Sequence, residues 1–257
     1  MRFSTHFLCT RRVVAMLFGV HTLFAVLAPG AVAQTFEATA DIRHHNLQPM
    51  QVNMPEMVRA AKLRNYHQVV QGLVPLVNQY LGGTPIQASK IEVRQVAIKL
   101  PAMLQGNPER KGHSILTINH EMYLNAVQHG VYTREEMPQA VIITLFHELV
   151  HAWQAKNRFR KLSHAQLEGH ATFAQTIFSM DYGLDAINQK GFAAFQSSRT
   201  IQSFTGANLL LAWGLKTFFS KRYLPGFRQM QAEYNRIPLE ESCRLEKASH
   251  HFREKAL

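Results

Sequence analysis

The chain has 257 residues, 46% of them hydrophobic, and only two cysteines, so it is long enough to bury a core without disulfide bonds. Its formal charge is +11, which favours anionic partners such as envelope polymers or acidic lipid head groups. The basic residues form no run with interleaved aromatic residues, which argues against nucleic acid as a partner.

The first 33 residues have the pattern of a secretory signal peptide. Three arginines precede an almost wholly apolar stretch, Val13–Ala28, and Ala31-Val32-Ala33 supplies a small-x-small cleavage site. An uncleaved membrane anchor is the alternative, but about 16 apolar residues fall short of the roughly 20 that a span requires. We therefore expect export to the periplasm or the medium, with residues 34–257 as one domain. Loss of the three arginines would lower the formal charge from +11 to +8.

The chain up to residue 124 is predicted to form helices and then strands. Asn53 is a candidate N-cap for an amphipathic helix that runs to Gly72, and a second helical piece covers Leu73–Leu81. The alternating segment Ile91–Leu100, closed by a proline, predicts a strand. Gln105–Gly112 has the composition of a turn, and His113–Leu124 is predicted to be extended.

The next predicted helix carries the H-E-x-x-H motif. Thr133 and Glu136 fit a capping box, and apolar residues then continue to about residue 158. His147 and His151 are four residues apart, so both imidazoles lie on one face of the helix and can bind zinc. Glu148 is then placed to act as a general base on the water at the metal. The apolar surroundings predict that this helix is buried nearly all round.

A catalytic zinc takes three protein ligands, and the third must lie farther along the chain. Cys243 is the one cysteine after residue 33, so the ligands have to be histidine or carboxylate. After a basic turn, Ser163 and Gln166 fit a second capping box, which opens a helix that returns antiparallel to the first. Glu168 then reaches the level of the two histidines at about 1.5 Å of rise per residue. His164 and His170 on the same helix remain the alternatives.

The two helices together resemble the gluzincin-type zinc metallopeptidases. HELVHAWQ followed by LEGHATFAQ (Leu167–Gln175) is similar to that family's H-E-x-x-H and, on the next helix, E-G-x-A. The resemblance implies that His147, His151 and Glu168 are the metal ligands and Glu148 the base. It also implies that Gly169 and Ala171 are small so that the two helices can approach, and Tyr234–Ser242 loosely resembles the family's closing region.

We therefore expect an α+β, predominantly helical, zincin-like fold. A small β-sheet would place an edge strand on the H-E-x-x-H helix, with the second helix antiparallel to it. Ile115–Asn119 is the candidate edge strand for pairing with an extended substrate; an ordinary core strand is the alternative. The side chain that stabilises the tetrahedral intermediate stays open among Tyr182, Arg199, Tyr223 and Tyr234. Gly206–Phe219 is apolar but short, which favours a buried helix over a membrane span.

The expected function is that of an exported zinc-dependent metallopeptidase. In this hypothesis Glu148 assists the attack of a zinc-bound water on a peptide bond. The substrate is expected to be a peptide or protein, and envelope-associated proteins are among the candidates. Two alternatives remain. One is a zinc-containing envelope binding or assembly protein that cuts nothing, and the other is a zinc amidase acting on cell-wall material. We expect no nucleic-acid partner and no stable membrane span after signal cleavage.

Overall fold

The computed structural model describes residues 42, 52–98, 100–196 and 224–255. The chain divides into two units, Met1–Ala31 and Val32–Leu257, and every described residue belongs to the second. The predicted signal peptide, the predicted helix at Gly206–Phe219 and the residues Arg199 and Tyr223 lie outside the described residues. None of the helices in the described part combines the length and the apolar character that crossing a membrane requires.

The described part is predominantly helical with a small mixed sheet, as the α+β prediction requires. It contains eight α-helices and three strands, in the order α1 (Met54–Lys62), α2 (Tyr66–Leu81), β1 (Ile91–Gln95), β2 (Ala102–Gly106), β3 (Ser114–Ile118), α3 (His120–Gln128), α4 (Met137–Lys156), α5 (His164–Asp181), α6 (Asp185–Gln196), α7 (Leu224–Arg236) and α8 (Arg244–Lys255).

The first helical region breaks earlier than predicted. Asn53 caps α1 as expected, its side chain accepting from the backbone N–H of Glu56. The chain then turns at Arg64, whose φ is 58°, and Asn65 caps α2. The predicted break after Gly72 was wrong. A Cβ at Gly72 would lie 2.7 Å from Met57 Sδ, so this glycine lets α1 approach α2 inside a continuous helix.

The sheet places β3 in the middle. Its strand order is β1-β3-β2, with β1 parallel and β2 antiparallel to β3. The prediction of Ile115–Asn119 as an edge strand was therefore wrong, because both sides of β3 are paired and its last four residues are buried. The edge strand that packs on α4 is β2, part of which the sequence predicts to be a turn. Burial along β2 falls from Ala102 to Gly106 without alternating, so the strand has no two-residue period that the sequence could reveal.

The segment predicted to be extended through Leu124 changes to helix after β3. The side chain of Asn119 accepts from the backbone N–H of Met122 and so opens α3. The prediction was wrong beyond Ile118, because Leu124 and its neighbours belong to a helix. The predicted strand Ile91–Leu100 is likewise shorter and ends at Gln95.

The core is built around α4 and α5, which run antiparallel. Phe146 stacks on Phe178 with ring centroids 4.2 Å apart, while Trp153, farther along α4, stacks on His170, farther back along α5. Residues later in α4 therefore contact residues earlier in α5, as expected for the predicted antiparallel return helix. The reversal itself uses Asn157, whose side chain bonds both backbone groups of Thr84.

Helix α5 also packs tightly against α7. A Cβ at Gly169 would lie 2.2 Å from the backbone atoms Gly226 C and Phe227 N, and a Cβ at Gly226 would lie 2.3 Å from Ala165 O. The expected role of Gly169 between the two motif helices was therefore wrong. This glycine faces the C-terminal part of the chain and lets the backbone of α7 touch that of α5.

Candidate metal centre

Helix α4 presents one open face in an otherwise buried helix. Thr133 and Glu136 make the reciprocal bonds of the predicted capping box, but in the turn before the helix, and Glu136 at the N-cap makes no side-chain capping bond. Twelve residues of α4 are buried, whereas His147, Glu148 and His151 are only partly buried. Apart from its exposed C-terminal end, the helix is therefore largely buried except where the motif residues face a cleft.

Three ligand atoms converge at this face. His147 Nε2 and His151 Nε2 are 3.1 Å apart, and each is 3.3 Å from Glu168 Oε2. The side chains are 12%, 19% and 11% exposed, respectively, so the three atoms meet at the floor of the cleft. Within the described residues, His147, His151 and Glu168 form the group that could hold a metal ion.

The spacing of these atoms fits a zinc ion. Zinc bonds of about 2.0–2.1 Å at tetrahedral angles place the ligand atoms about 3.3–3.4 Å apart. The measured separations of 3.1, 3.3 and 3.3 Å approach that triangle. Two imidazole nitrogens and one carboxylate oxygen are also a donor set that zinc takes in catalytic sites, where a fourth position stays open. The residues therefore fit the ion.

The alternative third ligands lie elsewhere. His164 is half exposed, and its Nδ1 lies 3.5 Å from Glu168 Oε1, the oxygen of Glu168 that does not face the other two histidines. His170 is fully buried on the far side of α5, between Trp153 and Phe252. Burial, together with the positive charge of His151, lowers the pKa of His170 to about 3, so this imidazole is neutral. Geometry thus favours Glu168 among the three.

The electrostatics of the cluster favour a cation at the meeting point. Burial by itself lowers the pKa of His151, but the Glu168 carboxylate, aided by Glu148, outweighs it and raises that pKa to about 9. Burial similarly opposes ionisation of Glu168, but its hydrogen bonds to His147 and His151 hold the pKa of Glu168 well below its usual range. A negative carboxylate thus faces two imidazoles, and the charge between them is balanced by a proton or by a metal ion.

Glu148 is held by the edge strand. The backbone N–H of Leu104 in β2 donates to Glu148 Oε2 at 2.8 Å. In an antiparallel pair the backbone groups alternate in direction, so Leu104 and its neighbours Ala102 and Gly106 turn their N–H and C=O groups away from β3. The edge of β2 and the acid of the motif therefore face the same cleft.

The cleft has a volume of about 940 Å³ and is mostly apolar. Edge strand β2 forms one wall, and residues of α4, α5 and α6 form the others, among them Ile143, Ile187 and Phe192. Apart from Glu148, Glu168 and the three histidines at 147, 151 and 164, the charged residue types are absent from its described lining. Away from the candidate metal ligands, the described lining therefore offers mostly apolar surface, with uncharged polar side chains and backbone hydrogen-bonding groups.

The two described candidates for stabilising the intermediate do not line this cleft. Tyr234 is buried and packs on Phe173. The Arg244 guanidinium lies over the Tyr234 ring, 4.1 Å from the ring centroid. Tyr182 packs on Phe178 at the end of α5. Tyr132 lines the cleft instead, and nothing in its sequence spacing indicated that position.

Sequence reasoning also missed the support of His151. Its Nδ1 lies 2.8 Å from Gln154 Oε1, one helical turn farther along α4. By contrast, His147 Nδ1 is buried and has no hydrogen-bond partner among the described residues. The i, i+3 spacing of His151 and Gln154 was the available signal, since residues three apart are neighbours on a helix.

Comparison of the chain with protein-family models, with curated proteins and with solved structures gives no match. The likeness to gluzincin-type peptidases consequently rests on the sequences of the two motif helices and, loosely, of Tyr234–Ser242.

Proposed function

We propose that this chain is an exported zinc-dependent metallopeptidase of zincin-like fold that hydrolyses peptide bonds. The observation that carries the proposal is the convergence of three ligand atoms, 3.1–3.3 Å apart, on the floor of a cleft that also holds Glu148. His147 and His151 would hold the ion through Nε2, and Glu168 through Oε2. Bound there, zinc would polarise the scissile carbonyl and make water at the site more acidic.

Glu148 would carry the proton in this reaction. With Oε2 held by the Leu104 N–H, the carboxylate has a fixed position and Oε1 remains for proton transfer. It would take the proton of the attacking water and give it to the leaving amine as the C–N bond breaks. A general base with this double use suits amide hydrolysis, because an amine leaves readily only when it is protonated.

The wall formed by β2 would bind the substrate backbone. The Leu104 N–H is used by Glu148, but the Leu104 C=O and the outward backbone groups of Ala102 and Gly106 can pair with an extended peptide, as an added strand does at an open sheet edge. The apolar surface opposite, from Ile143 to Phe192, would then receive the peptide's side chains. These features support a peptide substrate in particular.

The two alternatives have less support. A purely structural zinc site takes four protein ligands, whereas three converge here among the described residues, which leave the cleft side open. A wall amidase was prompted by the overall positive charge, but the described lining of the cleft contains no lysine or arginine to bind an anionic polymer. The peptidase proposal and the two alternatives can all be tested on the same purified protein.

Metal content is the first measurement. We expect close to one zinc per chain in protein purified at neutral pH, and less than about 0.3 would contradict the proposal, since a tight site should be filled there.

Glu148→Gln is the second test. Its amide oxygen can still accept from Leu104, so folding and zinc content should persist while casein cleavage falls by about 100-fold or more. Glu135→Gln, an exposed substitution just before α4, is the matched control and should cleave normally. Full cleavage by Glu148→Gln would favour a non-catalytic role for the acid, and amine release from purified wall but not casein would favour the amidase.

A further inference from the structure

A chain of buried hydrogen bonds leads from the metal centre to the C-terminal helix. His151 Nδ1 is 2.8 Å from Gln154 Oε1, and Gln154 Nε2 is 2.8 Å from Leu167 O and 3.0 Å from His170 Nδ1. His170 Nε2 is in turn 2.9 Å from the Ser249 hydroxyl on α8. Three helices, α4, α5 and α8, therefore meet in one connected network.

The direction of the bonds at the far end of this network follows from Ser249. Its hydroxyl donates to Leu245 O at 2.7 Å, so its proton is already used and the oxygen must accept from His170. His170 therefore carries its proton on Nε2, and its Nδ1 is an acceptor for the Gln154 amide.

The near end is fixed by the same reasoning. Leu167 O can only accept, so the atom of Gln154 beside it is the amide nitrogen, and both of its protons are used. The Gln154 oxygen consequently faces His151, whose Nδ1–H must donate. A proton fixed on Nδ1 leaves Nε2 of His151 as the atom that can bind a metal ion.

The network is rigid because its members are packed on all sides. His170 and Ser249 have no exposed surface, and Gln154 is 2% exposed. The His170 ring stacks between Trp153, at 6.0 Å, and Phe252, at 5.8 Å. Rotation of the Gln154 amide would break its bonds to Leu167 O and His170 Nδ1, and leaving buried polar groups unpaired is costly.

We propose that Gln154 is a positioning residue of the metal centre, held by His170 and Ser249. It fixes the ring plane and proton position of His151, so α8, more than 75 residues beyond the ligands, helps set the affinity of the site for metal. This inference rests on the proposed zinc site, and it goes beyond it by assigning roles to residues outside the motif. The unpartnered Nδ1 of His147 makes His151 the ligand whose orientation the described residues control.

Gln154→Met and Ser249→Ala test the network in the full chain, with zinc itself as the probe. Methionine fills the volume of glutamine without its hydrogen bonds, and loss of such an outer partner lowers metal affinity by about 10–100-fold. We expect a zinc Kd raised by that factor in Gln154→Met and by a smaller factor in Ser249→Ala. Competition against a zinc-binding dye measures both.

Ser179→Ala is the matched control. Ser179 is equally buried on α5 and its hydroxyl also donates to the carbonyl four residues earlier, at 2.8 Å, but it does not touch the network. Its substitution should cost similar stability and leave the zinc Kd unchanged. Equal shifts in Ser249→Ala and Ser179→Ala, or wild-type affinity in Gln154→Met, would overturn the proposal.

A second measurement separates this inference from the proposed function. A slowly exchanging Nδ1–H signal of His151 should appear in the NMR spectrum of the wild type with or without zinc, and disappear in Gln154→Met. If the wild type binds no zinc yet shows this signal, the proposed zinc peptidase function is refuted while the hydrogen bond between His151 and Gln154 is supported. Absence of the signal from the wild type would defeat the positioning role even if zinc binds.

Discussion

The close contact between α5 and α7 makes Gly169→Ala a sharp test of the structure. The added Cβ would lie 2.2 Å from Gly226 C and Phe227 N, and backbone atoms on both sides cannot rotate away as a side chain could. Helices α5 and α7 would have to move apart by about 1 Å to restore a normal contact distance. Overpacking of this kind destabilises a protein by up to about 3 kcal/mol, and we take that upper value here.

Part of that cost is offset within the helix itself. Alanine is favoured over glycine in a helix interior by about 1 kcal/mol, so the net loss in the free energy of unfolding is about 2 kcal/mol. For a domain of this size the melting temperature should fall by about 4–8 °C, as measured by circular dichroism or calorimetry. Because Glu168 is the adjacent residue, zinc affinity should fall as well.

Two further glycine substitutions provide controls. Gly72→Ala places its Cβ against the flexible end of Met57, which can move, so it should change stability by less than about 1 kcal/mol. Gly226→Ala acts on the same contact as Gly169→Ala, and the double variant should lose less than the sum of the two single losses. A Gly169→Ala protein as stable as Gly72→Ala would refute the helix contact.

The remaining predictions concern pH, the edge strand and the metal. The pKa of His170 lies at about 3 in the folded chain against 6.5 ordinarily, so only the unfolded state gains a proton between these values and stability falls as pH falls. From about pH 7.5 to about pH 5 this group alone contributes a loss of about 2 kcal/mol, so over this range urea titrations should find a pH-dependent loss about that much smaller in His170→Gln than in the wild type. Leu104→Pro removes the N–H that holds Glu148 but spares the ladder, so casein cleavage should drop about 10-fold or more. Met103→Pro, opposite Thr117, also removes a ladder N–H and should lower the melting temperature further than Leu104→Pro does. Zinc at about 100 times its Kd should add about 2.7 kcal/mol of stability, and a melting temperature unchanged by a chelator would contradict a bound ion.

Local patterns identified the motif helices because their geometry follows from sequence spacing. Residues four apart share a helical face, which brings His147 and His151 together before any tertiary contact forms. Ser163 and Gln166 form the predicted capping box, and that cap fixes where α5 begins and hence the level that Glu168 reaches. The choice of Glu168 over His164 and His170 was thus accessible from helix length and rise.

Tertiary structure alone decided which strand faces the cleft. β2 and β3 are equally long, and it is the pairing of β1 with β3 that leaves β2 at the edge. The role of Gly169 was decided in the same way, since a glycine on a helix does not reveal which neighbour it admits.

The H-E-x-x-H sequence determined that two imidazoles and an acid would share one helical face, because helical periodicity is a local property. The sequence could not show that Gln154 and His170 tie this face to Ser249. Those bonds depend on how α4, α5 and α8 dock, and docking is set by burial summed over the whole core. The candidate ligands could therefore be predicted from residue spacing, whereas the hydrogen bonds that hold His151 in place are seen only in the tertiary structure.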